Sequence, residues 1–389
     1  MSTLVVLHEA TRTGGPRVGG LIAAALQKHG DVRVLCLSDG PNVRWLREHV
    51  GKENVSVFDF ADGRPRTPFS ERVDIARKVL TETPCELVYV NSAAAAEFIF
   101  AAEALRRMVV LHVHENAAML RRLLEVDLAK LEMLSLCDGI VLAAGDLRGD
   151  LAEVFGFVPE PCLDFGIAID YEEIGRLASE RDAPARNARG EFAAWGDRLV
   201  IGMCGHASLR KGTDVFFEAA AAIPEHDFVW VGNWSRLDAP DNPVVDQYLE
   251  RGLPNLYVTG GVDNPYKYIA RFDLFFLSSR VDTNPLVLAE AMSLRVPVLC
   301  FSRTTAVADF LGRSTILCHG TTNTADAMRV LRALDAAEIR SPEFRRPSEE
   351  HQLRFDIKQK FPSLLRFLGS LWSGDASCKS LPSELSAGL

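Results

Sequence analysis

The sequence predicts an α/β protein of two doubly wound, Rossmann-like domains, and three observations carry the prediction. Short β-branched apolar runs alternate with longer helical patterns. The alternation stops over a charged stretch near mid-chain and then restarts. The chain has 389 residues, 48% of them hydrophobic, enough to fill two cores at roughly 100–200 residues per domain. Strand–helix alternation of this kind belongs to a parallel sheet covered by helices on both faces.

In the first half, strands are expected at 4–7, 32–36, 55–58, 87–90, 109–113 and 140–142. Helices are expected at about 17–28, 69–81, 93–106, 117–135 and 146–155. From about 172 to 197 the chain is charged, carries Pro184 and Gly190, and shows no apolar periodicity, so it reads as the crossing between domains. The second half has strands expected at 199–204, 228–231, 256–259, 273–277, 296–301 and 315–317, with helices at 213–222, 242–251, 285–293 and 324–335. A last helical stretch spans about 349–371, and the Ser-, Gly- and Ala-rich end is expected to be disordered. The resulting division is a first domain over 1–175, a linker over 176–197, a second domain over 198–345, a terminal helix over 346–372 and a tail over 373–389. Two such domains are expected to face one another across a cleft at the carboxyl ends of their strands, where ligands bind in this architecture.

Composition narrows the function. A net charge of -9 argues against a nucleic-acid partner, which needs a net basic face. Eight cysteines are scattered with no metal or redox spacing, which reads as reduced thiols in a cytoplasmic protein. The start lacks a basic n-region and runs straight into a strand pattern, so no secretory signal is expected. No stretch reaches the roughly 18 apolar residues of a membrane span. Membrane association is therefore expected to be peripheral at most, at the inner face. Arg106-Arg107 and Arg121-Arg122 are either solvated faces or contacts to an anionic lipid or phosphorylated acceptor.

Four segments are candidates for chemistry. The turn from His8 to Gly20 leaves a strand, passes Thr13, Gly14, Gly15 and Arg17, and enters a helix. Glycines there let backbone approach a phosphate at a helix N-terminus, although a plain tight turn reads the same way. Its spacing is not G-x-G-x-x-G, so a dinucleotide fingerprint is absent. His112-Val113-His114-Glu115 closes a buried strand: His112 reads as a core histidine, and His114, last on the strand, as a site residue. No third ligand at helical spacing supports a zinc site. Gly205-His206-Ala207-Ser208-Leu209-Arg210-Lys211-Gly212 follows a strand and places two cations in a Gly-flanked loop, suited to a diphosphate or simply solvated. Asp282-Thr283-Asn284-Pro285-Leu286-Val287-Leu288-Ala289-Glu290 starts a helix, with Asn284 able to cap and Pro285 suited to the first turn. The amides of Leu286 and Val287 are then available to a phosphate. Glu290 lies in an otherwise apolar helix and needs partners, either a ligand or an ion pair with Arg280 or Arg295.

Taken in order, the Gly-Gly turn, the His-Glu after a strand, the Arg-Lys-Gly and the run Ser-Ser-Arg-x-Asp-x-x-Pro-Leu-Val-x-x-Glu-Ala-Met resemble the retaining nucleotide-sugar glycosyltransferases of family four, which have the GT-B fold. The resemblance spans about residues 4 to 335 and is most specific over 278–298, ending in Val296-Pro297-Val298. It implies that Asp282 binds the donor sugar's hydroxyls and that Glu290 holds the ribose. Lys211 and the Leu286 and Val287 amides then meet the diphosphate, Gly15 faces it from the first domain, and Val262 lies near the base. It implies that His114 stands beside the reacting carbon. The family's arginine usually lies several residues before the lysine, where this chain has His206, so either His206 or Arg210 takes the second basic role.

The same resemblance implies no cofactor, a nucleoside-diphosphate sugar as donor substrate, and a carbohydrate or glycoside acceptor. With no Asp-x-Asp pair, it implies no metal. The acceptor side is expected around Thr13, Gly14 and Arg17, with the loop at 60–70 and residues 116–122. The terminal helix is expected to cross back onto the first domain. A sugar-nucleotide epimerase of the same fold and a non-catalytic nucleotide-sugar-binding subunit are the alternatives. Monomer and homodimer both remain open.

Overall fold

A computed structural model of the chain describes residues 2–58, 66–180, 186–187, 197–233, 250–282, 285–301, 315–318, 324–345 and 349–373. Residues 242–249 of the helix expected over 242–251, Thr283, Asn284, residues 60–65 of the loop expected at 60–70, and the expected tail beyond residue 373 lie outside these residues. The chain divides into two compact units, one of residues up to 168 together with those from 357, the other of residues 169–356.

The first unit is built on seven strands: β1 (Thr3–Leu7), β2 (Val32–Cys36), β3 (Val55–Val57), β4 (Leu87–Asn91), β5 (Met108–Val113), β6 (Gly139–Leu142) and β7 (Cys162–Asp164). They are all parallel, in the order β3-β2-β1-β4-β5-β6-β7. Every residue of β1 and β4 is buried, because helices cover both faces of the sheet. That is why these strands read as unbroken apolar runs rather than as alternation. The connection reverses between β1 and β4, which makes their carboxyl ends the switch point of the unit.

The helix Asn42–Val50 was not expected, and it buries Val43, Leu46 and Val50 on one face. Its four apolar residues, Val43, Trp45, Leu46 and Val50, are interrupted by Arg44, Arg47, Glu48 and His49, which mask the pattern in sequence. The helix Ile357–Ser373 belongs to this unit, burying Phe361, Leu364 and Leu368 along one stripe. Its Phe367 and Leu371 lie over Gly139, where a Cβ would stand 2.9 Å and 2.8 Å from them.

The second unit repeats the plan with β8 (Arg186–Asn187), β9 (Val200–Cys204), β10 (Asp227–Val231), β11 (Leu256–Val258), β12 (Leu274–Leu277), β13 (Val298–Phe301) and β14 (Thr315–Cys318). Their order is β14-β13-β12-β9-β10-β11-β8, parallel except for β8 against β11. The switch point falls between β9 and β12. Phe216 packs edge-on against Phe228 and Trp230 at 5.5 Å and 5.4 Å between ring centroids. Gly202 in β9 has no room for a side chain, since a Cβ would stand 2.0 Å from the Phe272 ring.

Two expectations about organisation are corrected. The helix Tyr171–Ala178 lies in the stretch read as lacking periodicity, and the second compact unit, which begins at Ile169, takes in both it and the span expected as a linker over 176–197. Only Ile174 of this helix is buried, which explains the missing apolar stripe. The signal was at its start, where the Asp170 side chain accepts from the Glu173 amide at 2.9 Å. The single terminal helix over 346–372 is two, Glu349–Phe355 and Ile357–Ser373. Between them Asp356 leaves the helix to form a parallel bridge with Ile169, whose amide donates to the Phe355 carbonyl at 2.8 Å.

Among the described residues, no helix is long and apolar enough to cross a membrane. Three of the four arginines read as possible lipid contacts have partners within the fold. Arg121 pairs with Glu153, Arg122 Nη1 lies 3.2 Å from Glu125, and Arg107 donates to the Thr83 carbonyl at 2.9 Å.

Candidate active site

In the second unit, three strand ends and their loops are stitched together by glycines. Gly205 follows β9, and Trp230 Nε1 donates to its carbonyl at 2.8 Å. Gly232, after β10, sits at φ +135°, and a Cβ there would stand 2.3 Å from the Gly205 oxygen. Gly212 sits at φ +67°, and a Cβ there would stand 1.9 Å from the carbonyl oxygen of Ser278, just past β12. Backbone approaches this close exclude any other residue at 212 without rearrangement.

The same loops exchange hydrogen bonds. Ser278 Oγ donates to the Lys211 carbonyl at 2.9 Å, and the Arg280 amide donates to the Arg210 carbonyl at 2.9 Å. This backbone frame brings the Lys211 ammonium onto the Asp282 carboxylate. Ser279 Oγ donates to the same carboxylate at 3.3 Å, and Arg210 Nη1 lies 3.6 Å from its other oxygen. Lys211 and Asp282 are 14% and 13% exposed against 58% for Arg210. Lys211 is thus the inner cation and Arg210 the rim cation. The three formal charges sum to one positive charge only when Arg210 is included. His206 is exposed on the same loop, and among the described residues no hydrogen bond ties it to Asp282.

Glu290 is buried in the helix Leu286–Ser293 and accepts from Tyr266 Oη at 2.7 Å. Arg280, one of its alternative partners, is engaged by both carboxylate oxygens of Asp214. Pro285 occupies the cap position rather than the first helical one. The amides of Leu286 and Val287 then begin the first turn, where no preceding carbonyl of the helix can receive them. Val262 is half-buried on the turn after β11, which Gly232 and Gly260 bridge to the turn after β10.

Three participants were missed from the sequence. Ser279 was quoted within the motif without a role, and nothing local to Tyr266 marks it as the Glu290 partner. Cys204 stood only among the scattered thiols. Its thiol is pushed up to about 12, first by burial and then by Glu290, while Lys211 acts in the opposite direction.

In the first unit, the ends of β1, β4 and β5 bring His8, Asn91, Ser92, His114 and Glu115 together. The helix that follows β1 begins at Gly14, earlier than the expected 17, so Gly14 and Gly15 lie in its first turn. Gly15 rests against the His114 ring, with a Cβ placed 3.5 Å from Cγ, an ordinary contact. Asn91 bridges the two, its amide lying 3.1 Å from the Gly15 carbonyl and 2.8 Å from His114 Nε2. The Glu9 carboxylate accepts from Thr11 Oγ1 at 2.6 Å and Thr13 Oγ1 at 3.0 Å. Arg17 is half-buried, and its amide donates to the Thr13 carbonyl at 3.1 Å. Ser92 Oγ donates to Glu115 and lies 3.3 Å from His8 Nδ1.

His112 is a core histidine, wholly buried, with Nδ1 3.0 Å from Tyr89 Oη. Its ring lies 4.1 Å from that of His114. Burial, aided by His8, pushes the His114 imidazole down to about 3. Burial also holds His112 well below the usual range, with His114 and Lys360 adding to it. Both rings are neutral at pH 7. Among the described residues, no group of three His, Cys, Asp or Glu side chains is placed to hold a metal ion.

Residues 198–335, which include Lys211, Asp282 and Glu290, match the family model of group 1 glycosyl transferases. No curated protein matches the chain in sequence. Among solved structures, HepE from Anabaena in complex with UDP-glucose is 17% identical, covering 95% of this chain and 100% of its own, with a TM-score of 0.74. Sucrose-phosphate synthase from Thermosynechococcus elongatus is 14% identical, over 96% of this chain and 100% of its own, with a TM-score of 0.72. UDP-GlcNAc 2-epimerase from Neisseria meningitidis, bound to UDP-GlcNAc, is 14% identical over 94% and 100%, with a TM-score of 0.59. The fold is accordingly that of the GT-B proteins, two Rossmann-like domains in one chain. Its second unit carries the region that matches the group 1 glycosyl transferases.

Proposed function

We propose that the protein moves a sugar from a nucleoside-diphosphate sugar to a hydroxyl of a carbohydrate or glycoside acceptor, with retained anomeric configuration and without a metal. The observation that carries this reading is the Lys211–Asp282 pair at the switch point of a unit matching the group 1 glycosyl transferase model. Lys211, Arg210 and the Leu286 and Val287 amides neutralise the departing diphosphate, with His206 as the alternative residue for the second basic role. Asp282 and Ser279 take hydroxyls of the donor sugar, Glu290 the ribose, and Val262 the side of the base. In the first unit, His114 and Gly15 serve the reacting end of the donor, and Thr13, Gly14 and Arg17 the acceptor.

The sugar–phosphate C–O bond breaks as the bond to the acceptor oxygen forms on the same face. The acceptor's proton passes to the departing phosphate oxygen, so no separate protein base is required. HepE was solved with UDP-glucose, which makes uridine diphosphate sugars the first donors to test. A thermal-shift screen of nucleoside diphosphates and their sugars identifies the donor, since a bound ligand raises stability by mass action. Acceptor-dependent release of nucleoside diphosphate, unchanged by a chelator, then supports transfer. A product of inverted configuration removes the retaining mechanism, and activity restored only by a divalent metal removes metal independence. Interconversion of two nucleotide sugars without acceptor supports epimerisation instead.

A further inference from the structure

The polar contacts of Asn91 put a proton on His114 Nε2, and burial keeps the ring neutral. Asn91 is wholly buried at the end of β4. One atom of its amide group faces the Gly15 carbonyl at 3.1 Å, and the other faces His114 Nε2 at 2.8 Å. A carbonyl only accepts, so the Asn91 atom facing Gly15 is the amide nitrogen. The atom facing His114 is then the amide oxygen, which also only accepts. Nε2 therefore carries a proton. In a neutral imidazole the other nitrogen, Nδ1, then holds a bare lone pair. Among the described residues no hydrogen bond engages that Nδ1.

We infer that Asn91 is the positioning residue of His114, holding the ring in the Nε2–H tautomer so that Nδ1 accepts a hydrogen bond from a hydroxyl of the bound substrate. The fold makes room for this device at one place. Gly19 lies beside the amide, and a Cβ there would stand 2.8 Å from Asn91 Cγ and 2.9 Å from Nδ2, besides 2.6 Å from Leu7. The surroundings keep the ring uncharged. Burial is the main cause, with the charge of His8, at the end of β1, adding to it, and the His112 ring lies tilted by 37° against it at 4.1 Å. The Glu115 carboxylate accepts from the His114 backbone amide at 3.0 Å. Glu9 lies 3.7 Å from His8, and Lys360 acts on His112. An acceptor nitrogen at this point favours a ligand hydroxyl over a carboxylate or phosphate oxygen, which would meet lone pair with lone pair.

The inference rests on the proposed transfer reaction only for its activity readout. The first test is nitrogen-15 NMR of the histidine rings in the full chain, with His114 assigned by its absence in His114→Gln. The expected result is a neutral Nε2–H ring from pH 8 to pH 5. A neutral Nδ1–H ring, or an imidazolium at pH 7, overturns the inference whether or not the protein transfers sugar. The second test is Asn91→Asp, whose carboxylate favours an imidazolium. The His114 titration, and with it the acid limb of the activity profile, is expected to move up by about 1–3 units. A profile matching the unsubstituted protein's overturns the inference. If Asn91→Asp does not fold, the NMR test alone decides it. Absence of transfer with any donor, alongside a neutral Nε2–H ring, defeats the proposed function and leaves the Asn91 assignment standing.

Discussion

Replacing Lys211 by methionine keeps the length of the side chain and removes its charge. The loop should survive, because its backbone is held independently of the side chain. The Lys211 amide donates to Ser208 O at 3.0 Å, and the Lys211 carbonyl accepts from Ser278 Oγ at 2.9 Å. What is lost is the ion pair with Asp282. An exposed pair contributes about 0–1 kcal/mol, and breaking a buried one costs about 3–5 kcal/mol. With the partners 14% and 13% exposed, and Asp282 keeping Ser279 at 3.3 Å and Arg210 at 3.6 Å, the pair lies between these limits. A loss of ~1–2 kcal/mol follows, equivalent to a fall of about 2–8 °C in Tm. On the proposed function the effect on turnover should be larger, because Lys211 supplies charge to the departing diphosphate. Removing one such contact lowers kcat about 10²–10³-fold. Steady-state release of nucleoside diphosphate and a thermal melt on the same preparation measure the two effects. A folded Lys211→Met protein with kcat within about threefold of the original, well short of that loss, would refute the placement of Lys211 on the diphosphate.

Glu290→Gln should leave the fold intact, because an amide oxygen still accepts from Tyr266 Oη, now at 2.7 Å from the carboxylate. On the proposed function, donor affinity should fall about 10–150-fold through loss of a charge-assisted bond from Glu290 to the ribose, and isothermal titration checks it. Gly212→Ala puts a Cβ 1.9 Å from the Ser278 oxygen at φ +67°, whereas Gly156→Ala meets nothing within 4 Å at φ +81°. Both incur the left-handed penalty of about 1–2 kcal/mol. Gly212→Ala should lose clearly more, and equal losses in urea unfolding would contradict the packing of that loop. The histidines set an acid limit. Burial lowers His114 to about 3 and His351 to about 4. The unfolded chain therefore takes up protons below the usual 6.5 while the folded rings do not. This contribution to stability is complete above pH 6.5 and is lost as pH falls toward 4 and 3. The slope is at most about 1.4 kcal/mol per pH unit per ring. Tm measured from pH 7 to pH 4 should fall less steeply in His114→Gln.

Most strands were legible because a sheet covered on both faces makes its strands continuous apolar runs, as in β1 and β4. Some helices escaped notice because they bury little. The helix Tyr171–Ala178 hides only Ile174, so its periodicity was too weak to read. The motif residues Lys211, Asp282 and Glu290 stood out in sequence because charges in glycine-bounded or apolar settings need partners. The identity of those partners did not. Arg280 was a candidate for Glu290 and is bound instead by Asp214, which lies 66 residues away in the chain.

The sequence by itself determined the class of fold and marked the residues proposed to carry chemistry, since both follow from local pattern: apolar period, turn glycines, and charges at strand ends. Only the tertiary structure decided which of those residues meet. It joined Lys211 to Asp282 across 71 residues, gave Tyr266 to Glu290 across 24, and set Asn91 against His114 across 23. The reason is physical. Parallel strands distant in sequence end side by side in the sheet, and the contacts their loops make depend on register and close backbone approach. No local pattern encodes these.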